Sequence, residues 1–365
     1  MPLPTTERLL LGPGPSPVSP RVTRALGAPA RSHLDPDLIA LMDELRARLA
    51  RVFRAGPDSF TCAVSGTGTS GMETAVANVT APGARVLVVV TGYFGDRLAQ
   101  MFERYGAAVT RFDVEWGRAV DPDSVERALA ARPAEIVAVV HGETSTGVRN
   151  PAGEIARIAS ARGALTVVDA VTTLGAVPLD VAEWGIDVCY ACSQKGLGAP
   201  SGMAPITFSA RALARRVPCR SFYLDVALLQ QYWIERKYHH TISAPLIYAL
   251  HAALEEVEEE GLDPRWARHR RTHRAFVDGL AGRGWSLLPA EADRLWSLNA
   301  VRVPEGINEA AVRVALRDSH GIEIGAGLGP LAGKIWRVGL MGSGATDANV
   351  ARLLAAFDAA AYPGA

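Results

Sequence analysis

The chain is 365 residues long, 48% of them are hydrophobic, and 38 basic residues balance 38 acidic ones. This length and composition suit a large core with room for a second, smaller domain, and the zero net charge gives no reason to expect nucleic acid or an anionic membrane as a partner. Because no apolar run approaches membrane-spanning length and residues 1–7 lack the basic and apolar regions of an export signal, we expect a cytoplasmic protein.

Strand and helix patterns alternate along the first half of the chain. Apolar runs and amphipathic stretches predict, in order, strand 60–64, helix 72–78, strand 85–90, helix 93–105, strand 108–112, helix 123–131, strand 135–140, helix 154–162 and strand 164–168. Strands that are apolar on both faces indicate a mostly parallel sheet covered by helices on both sides. Ligands bind such sheets at the carboxyl ends of the strands, so we expect Gly92, the segment 142–144 and Asp169 to share one rim.

A stretch rich in glycine and hydroxyl groups, SGTGTSG at 65–71, separates the first strand from the first helix. Free backbone N–H groups and the helix dipole make such a helix start suitable for a phosphate. Gly66, Gly68 and Gly71 also meet the Gly-x-Gly-x-x-Gly pattern of nicotinamide dinucleotide sites, but the next strand closes without the acidic residue that this pattern needs. The stretch alone therefore indicates a phosphate site and leaves the dinucleotide alternative open, whereas a P-loop is excluded because Gly-Lys-Ser/Thr does not occur.

Lys195 is one of only three lysines among the 38 basic residues. Arginine stays protonated and is a poor nucleophile, whereas a lysine amine can lose its proton and form a Schiff base with a carbonyl. Lys195 follows the predicted strand that ends in Asp169, and an aspartate at a strand end with a later lysine is what a pyridoxal phosphate enzyme requires. The alternative is a solvated surface lysine in an arginine-rich chain.

The C-terminal third has a different pattern. An acidic run at 255–260 precedes a basic run at 265–274, and we expect solvated helix faces that pair with one another rather than a nucleic-acid site. Beyond them, helix 308–319, a glycine-rich loop at 325–333, strand 335–339 and a final helix from Asp347 indicate a small α/β unit.

The four cysteines are too few and too scattered for a disulfide framework. Cys189 and Cys192 have the spacing of a redox motif, but they lie in a strand-like stretch where positions three apart face opposite sides, so we expect buried, inert thiols. The adjacent histidines His239 and His240 are poorly placed to share a metal, and no metal site is predicted.

Several motifs in one order carry a resemblance to a known family. They are LLGPGPS at 10–16, SGTGTSG at 65–71, HGETSTG at 141–147, Val168-Asp169, SQK at 193–195, YHHT at 238–241 and GLGP at 327–330 before Arg337. Over nearly its whole length the chain resembles the class V aminotransferases of fold type I, and more narrowly the alanine/serine-glyoxylate aminotransferase group. The resemblance implies an N-terminal arm at 1–22 near the active site, a large α/β domain at 23–250 with a mostly parallel seven-stranded sheet between helices, and a smaller C-terminal α/β domain at 251–365.

The resemblance also implies a role for each matching position. Lys195 would form the Schiff base with pyridoxal 5'-phosphate, and Asp169 would keep the pyridinium nitrogen protonated. Gly14 and Arg337 match substrate positions, with Arg337 holding the α-carboxylate. The other cofactor contacts would be Thr67, Gly68, Thr69, Phe94, Thr144 and Gln194, together with Tyr238 and Thr241, which reach the phosphate of the neighbouring subunit. Such contacts imply a homodimer with shared active sites.

Two positions depart from the animal alanine-glyoxylate enzymes, which have a histidine in place of Thr69 and a tryptophan in place of Phe94. Phe94 still offers an aromatic face to the cofactor, and Thr69 is closer to the serine-glyoxylate branch. We therefore predict transfer of an amino group from a small L-amino acid, alanine or serine, to glyoxylate or a similar small 2-oxoacid. The alternatives are a lyase or cysteine desulfurase with Cys219 as its candidate nucleophile, a specialised enzyme such as a ureidoglycine-glyoxylate aminotransferase, or a catalytically silent binding protein on this fold.

Overall fold

A computed structural model of the protein describes residues 6–361. The strands of this part of the chain are β1 (Leu9–Leu10), β2 (Phe60–Gly66), β3 (Arg85–Val90), β4 (Ala108–Asp113), β5 (Ile136–Val140), β6 (Gly142–Glu143), β7 (Val148–Arg149), β8 (Leu165–Asp169), β9 (Val188–Tyr190), β10 (Gly202–Phe208), β11 (Leu298–Arg302), β12 (Ile322–Glu323), β13 (Gly325–Ala326) and β14 (Ile335–Gly339). Its α-helices are α1 (Pro20–Leu26), α2 (Pro36–Phe53), α3 (Gly68–Val79), α4 (Tyr93–Arg104), α5 (Pro122–Ala131), α6 (Ala152–Ala161), α7 (Ala210–Ala214), α8 (Val226–Trp233), α9 (Ala244–Glu260), α10 (Leu262–Ala281), α11 (Glu309–His320) and α12 (Asp347–Ala361). Short 3-10 helices lie at Glu291–Asp293, Gly329–Leu331 and Gly342–Gly344.

The central sheet has seven strands in the order β2-β10-β9-β8-β5-β3-β4. The strands from β9 to β4 run parallel to their neighbours, whereas β10 is antiparallel to both β2 and β9. Every residue of β5 and β8 is buried, which requires cover on both faces of the sheet. The predicted mostly parallel, seven-stranded sheet is therefore confirmed.

A second hydrophobic core lies in the C-terminal part of the chain. It includes Phe276, Trp336 and Phe357, and it packs the three-stranded sheet β11-β14-β13 against α10, α11 and α12. The larger core ends at Val257 in α9, and the N-terminal segment joins the smaller unit because β1 pairs in parallel with β12. These cores give the predicted large and small α/β units, while the exact division at residues 22 and 250 stays a prediction whose ends, 1–5 and 362–365, lie outside the described residues.

Helix starts follow the local sequence. Proline is the first residue of α1, α2 and α5, where its missing N–H leaves no bond unmade. The preceding Ser19, Asp35 and Asp121 cap these helices, accepting bonds from backbone amides in the first turn at 3.2, 2.9 and 3.2 Å respectively. Each of these helices is therefore started by a short local signal.

The loop formed by the glycine-rich stretch at 65–71 is shorter than predicted, because part of the stretch is helical. Helix α3 begins at Gly68 instead of residue 72, so Gly68 and Gly71 form its first turn with Thr67 as the preceding cap residue. The helix packs closely on the sheet here, since an added Cβ on Gly71 would lie 3.2 Å from Tyr190 Cβ. The predicted loop at 325–333 likewise contains the short strand β13, which pairs with β14.

The acidic and basic runs pair with one another only in part. Arg265 and Arg268 each bind the carboxylate of Glu260, at 2.7 and 2.6 Å. Glu255, Glu258 and Glu259 pair with arginines of α1 and α2, as in the ion pair of Arg21 with Glu255 at 2.8 Å. Glu256 accepts the hydroxyl of Ser19 at 2.6 Å. The remaining arginines of the basic run therefore face other surroundings.

Cys189 and Cys192 are both buried, but β9 ends at Tyr190, so the argument from alternating strand faces is wrong in its detail. Burial, more than any neighbouring charge, raises the pKa of the Cys192 thiol to about 11, so the thiol stays protonated. Within residues 6–361, no helix combines the length and the apolar character that crossing a bilayer needs.

Candidate active site

A cavity of about 320 Å³ lies at the carboxyl ends of the central strands. Asp169 is the last residue of β8, Thr144 follows β5, and Phe94 follows β3, so three strand ends supply its walls. Ten of the twelve predicted site residues line this cavity: Gly14, Thr67, Gly68, Thr69, Phe94, Thr144, Asp169, Gln194, Lys195 and Arg337. The two that do not are Tyr238 and Thr241.

Lys195 is buried, with 9% of its surface exposed. Burial lowers the pKa of its amine, while nearby Cys192 and Asp169 oppose that shift. Its Nζ lies 3.5 Å from Thr172 Oγ1 and 5.7 Å from the centroid of the Phe94 ring. The amine is therefore held inside the cavity and moved towards its neutral, nucleophilic form.

The N-terminal segment packs directly on this lysine. Gly14 has a φ of +116°, and a Cβ added to it would lie 3.0 Å from Lys195 Cε, so a side chain would be strained there and would press on the lysine. Ser16 donates its hydroxyl to the carbonyl of Lys195 at 2.8 Å, and its amide donates to the carbonyl of Gln194 at 2.9 Å. Residues of the arm thus form one wall of the cavity.

Asp169 is 3% exposed, and burial raises the pKa of its carboxyl group to about 6. The amide of Val171 donates to Oδ1 at 2.8 Å, which favours the ionised form and opposes the effect of burial. A buried carboxylate of this kind is stabilised by a cationic or N–H-bearing partner.

The start of helix α3 provides hydrogen-bond donors at the other end of the cavity. Among residues 6–361, the backbone amides of Gly68 and Thr69 donate to no hydrogen-bond acceptor, and Oε1 of Gln194 is buried without a partner. Free amides at a helix N-terminus suit a phosphate, because the helix dipole adds positive potential there.

Arg337 comes from β14 of the smaller unit and is buried against the cavity. Its Nε donates to the carbonyl of Ala326 at 2.6 Å, and burial lowers its pKa to about 10, so it remains charged near neutrality. Its Nη1 donates to the carbonyl of Thr144 at 3.5 Å. Arg337 forms no ion pair with a carboxylate of the described residues, so the other N–H groups of its guanidinium are available to a ligand.

Glu143, which was not predicted as a site residue, is completely buried beside the cavity. Its Oε2 accepts the amides of Phe94 and Gly95 at 3.1 and 3.0 Å, and its Oε1 accepts the amide and hydroxyl of Ser145 at 3.1 and 2.6 Å. The carboxylate thus caps helix α4 and fixes the backbone of Phe94, whose ring lines the cavity. A glutamate three residues after the predicted strand 135–140 was visible in the sequence, but the amide that it binds lies 49 residues away in the chain.

Arg97 is the second functional residue that the sequence analysis missed. Its guanidinium lines the cavity, donates to Thr69 Oγ1 at 3.2 Å, and lies 5.2 and 5.1 Å from the ring centroids of Tyr93 and Phe94. It follows Phe94 by three residues in a helix, a spacing that places both side chains on one face and could have revealed it.

Tyr238 and Thr241 lie at the surface, and their hydroxyls are 3.4 Å apart. Tyr238 is 64% exposed and packs on His33 with ring centroids 5.3 Å apart. The two residues are adjacent as the motif implies, but outside the cavity of their own chain.

The family model described as Aminotransferase class-V matches residues 20–338. The chain belongs to the class V aminotransferases. This aminotransferase is 37% identical to the (S)-ureidoglycine–glyoxylate transaminase of Bacillus subtilis, over 97% of this chain and 91% of that protein. It is 38% identical to the alanine–glyoxylate aminotransferase of Oryctolagus cuniculus, over 97% of this chain and 93% of that protein. The crystal structure of an alanine–glyoxylate aminotransferase from Nostoc sp. superposes with a TM-score of 0.95 at 43% identity, covering 98% and 96% of the two chains.

Membership of this family makes the protein an enzyme whose cofactor is pyridoxal phosphate, so the silent binding-protein alternative is wrong. The described residues fit this cofactor, because a buried lysine, a buried carboxyl group and unpaired helix amides all face one cavity. Cys219 does not line that cavity, and burial raises its pKa, so this thiol is neither placed nor activated as the nucleophile that a cysteine desulfurase needs.

Proposed function

We propose that this aminotransferase transfers the amino group of a small L-amino acid, alanine or serine, to glyoxylate or a similarly small 2-oxoacid. The size of the cavity carries the proposal: the part of the site that one chain provides has about 320 Å³ for cofactor and substrate together, which favours a short substrate side chain. Relatives named as alanine–glyoxylate and ureidoglycine–glyoxylate enzymes support a small oxoacid acceptor.

Each predicted residue would have a distinct part in holding the cofactor. The amides of Gly68 and Thr69, with Thr67 and Gln194, would bind its phosphate at the start of α3. Asp169 would bind the ring nitrogen. Phe94 would cover one face of the ring and Thr144 would lie near its hydroxyl group.

Pyridoxal phosphate, when bound, supplies an electron sink for the negative charge that develops at the substrate α-carbon. Lys195 has two tasks, since its neutral amine attacks a carbonyl and its Nζ, once free, takes the proton from the substrate α-carbon and can return it. The ionised carboxylate of Asp169 favours a protonated ring nitrogen, which strengthens the electron sink. Arg337 orients the substrate through its α-carboxylate, and the arm at Gly14 limits the space around the lysine.

We also infer a homodimer in which Tyr238 and Thr241 reach the active site of the partner. Both lie outside the cavity of their own chain. They are close to two exposed aromatic side chains, Phe222 with 70% and Tyr223 with 42% of its surface exposed. Exposed aromatic side chains in one area are typical of a surface covered by another protein chain.

The function is tested by recording the visible absorption of the purified holoenzyme with L-alanine, L-serine and (S)-ureidoglycine in turn, each followed by glyoxylate. We expect alanine or serine to bleach the band and glyoxylate to restore it, with glycine as product. A response to (S)-ureidoglycine alone would show that this compound, and not alanine or serine, is the amino donor. The Lys195→Ala variant should bind the cofactor without turnover.

The shared site is tested by mixing two inactive variants, Lys195→Ala and Tyr238→Ala, after unfolding and refolding them together. A dimer with composite sites regains activity, because one of the two sites in each mixed dimer then has an intact lysine and an intact tyrosine. Equal inactivity of the mixture and of the separate variants, with mixed dimers shown by mass spectrometry, would contradict the proposal.

A further inference from the structure

The basic run of helix α10 divides into two groups of arginines with different surroundings. Arg265 and Arg268 bind Glu260, and Arg271 binds Asp347 at 3.4 Å. Arg270 and Arg274 have neither an ion pair nor a side-chain hydrogen bond with any residue in 6–361. The first group is explained by structural pairing, and the second group is not.

Arg270 and a second arginine without an ion pair, Arg149, contact the ring of the same tryptophan, Trp296. The ζ carbons of Arg270 and Arg149 lie 5.3 and 5.1 Å from the ring centroid of Trp296. Arg149 ends strand β7, and Trp296 follows the 3-10 helix Glu291–Asp293, so three separate segments bring these side chains together. Cation–π contact holds both guanidinium groups in place but does not neutralise them.

These side chains line a cavity of about 500 Å³. Arg149, Arg270, Arg274 and Arg294 all contribute to its wall, and within the described chain none of the four forms an ion pair. Asp278 and Glu291 are the two carboxylates in the wall. His273 also lines it, but burial lowers the pKa of His273 to about 4, so it adds no positive charge near neutrality. The wall therefore has a net positive charge.

Arg149 is less exposed than Arg270 and Arg274 of this group. It is half-buried, and burial together with the charge of Arg270 lowers its pKa. A charge that is removed from water and placed beside a like charge is unfavourable unless an anion compensates it. The unpaired donors of Arg149 thus indicate a missing negative partner.

We propose that this cavity is a second ligand site, which binds a small organic or inorganic anion with two or more carboxylate or phosphate groups. Planar guanidinium groups bind both kinds of group through paired hydrogen bonds, and several of them at one site favour a ligand with more than one negative charge. A volume of about 500 Å³ suits a small molecule rather than a polymer.

The proposed site is separate from the catalytic cavity, since the two share no lining residue. One of its residues, Arg149, nevertheless lies in the same hairpin as a residue that supports the wall of the catalytic cavity. Arg149 belongs to the hairpin β6-β7, in which Glu143, the residue that fixes Phe94, pairs with Val148. An occupant at Arg149 would contact the outer strand of the hairpin that supports the active site.

The test is isothermal titration of the holoenzyme at low ionic strength with citrate and, separately, with inorganic pyrophosphate, which represent the carboxylate and phosphate classes. We expect one equivalent of at least one probe to bind, with affinity that falls as salt rises. Arg149→Gln and Arg270→Gln should each weaken binding about ten- to hundredfold, the effect of losing a charge-assisted hydrogen bond. Arg270 is exposed, so its variant tests the site even if the Arg149 variant folds poorly.

Two controls keep the result specific. Arg127→Gln removes the same charge from α5, where Arg127 pairs with Asp121 and lines neither cavity, and it should leave binding unchanged. Arg337→Leu should also leave it unchanged, because Arg337 belongs to the catalytic cavity. Absence of binding by both probes at millimolar concentration, equal weakening in Arg127→Gln, or loss of binding in Arg337→Leu would each overturn the proposal.

Discussion

The carboxylate of Glu143 holds the backbone of Phe94 by accepting its amide at 3.1 Å. The same oxygen accepts the next amide at 3.0 Å, so a fully buried charge determines where helix α4 begins and where the aromatic ring points. A residue that does not itself line the cavity therefore positions one that does.

We expect Glu143→Gln to weaken pyridoxal phosphate binding through Phe94. An amide offers one acceptor oxygen where the carboxylate has two, so the variant should lose about 2 kcal/mol of unfolding free energy, which urea titration measures. Glu143 would affect cofactor dissociation only through the position of Phe94. The effects of Glu143→Gln and Phe94→Leu on the dissociation rate should therefore be clearly non-additive in a double-mutant cycle. Additive effects would show that Glu143 has only a structural role, and Glu103→Gln, at an exposed position of the same helix, is the control.

Arg97→Gln is expected to weaken pyridoxal phosphate binding about ten- to hundredfold while leaving pyridoxal binding nearly unchanged. The guanidinium is directed at Thr69, beside the free amides of α3, and among the described residues it has no acidic partner. Affinities from cofactor fluorescence quenching, with Arg104→Gln on the same helix as control, check this. Equal losses for both compounds would mean that Arg97 acts by supporting Phe94 and not by contacting phosphate.

Arg337→Leu should raise the KM of donor and acceptor alike by about tenfold or more, because both carry the carboxylate that Arg337 would bind. Arg337→Lys should recover only part of this loss, since an ammonium group cannot form two parallel hydrogen bonds. Steady-state kinetics on both half-reactions provide the measurement. Unchanged kinetics in the leucine variant would remove Arg337 from the substrate site.

The stability of the cofactor-free protein should carry a pH signature of Asp169. Its pKa rises from 3.8 to about 6 on folding, so well below pH 3.8 the carboxyl group is protonated in both states and does not destabilise the folded protein. As pH rises to about 6, the unfolded state ionises more easily, and the contribution of Asp169 to stability falls by about 3 kcal/mol.

Subtracting the unfolding free energy of Asp169→Asn from that of the wild type isolates this contribution from the buried histidines. The pKa of His141 and of His269 is lowered to about 3 by burial, so these groups titrate in the opposite sense, losing stability as pH falls. We expect the difference to decline between about pH 4 and pH 6 and then to level off. A difference that stays flat over this range would show that Asp169 ionises normally in the folded protein.

Much of the catalytic cavity could be predicted from the sequence because its residues lie in short motifs at the ends of regular elements. Lys195 was notable for its rarity, Asp169 for its place at the end of an apolar strand, and the stretch at 65–71 for its glycines. Strand periodicity and helix-start chemistry are local properties, so they predicted Asp169, Gly92 and the segment 142–144 on one rim and a phosphate site at the start of the first helix.

Other features depended on contacts between distant segments. The start of α3 at Gly68 was missed because close packing on Tyr190, more than 100 residues away, overrides the usual reluctance of glycine to be helical. The pairing of the charged runs was only partly right, because arginines of α1 and α2 compete for the same glutamates.

The sequence by itself determined the family, the parallel sheet and most of the residues around the cofactor, because each rests on patterns within one strand, helix or motif. Only the tertiary structure decided that Glu143 supports Phe94, that Arg97 faces Thr69, and that Arg149 and Arg270 meet at Trp296. In each of these cases the partners come from different elements, and their side chains are brought within reach only when the packing of those elements sets their distance and orientation.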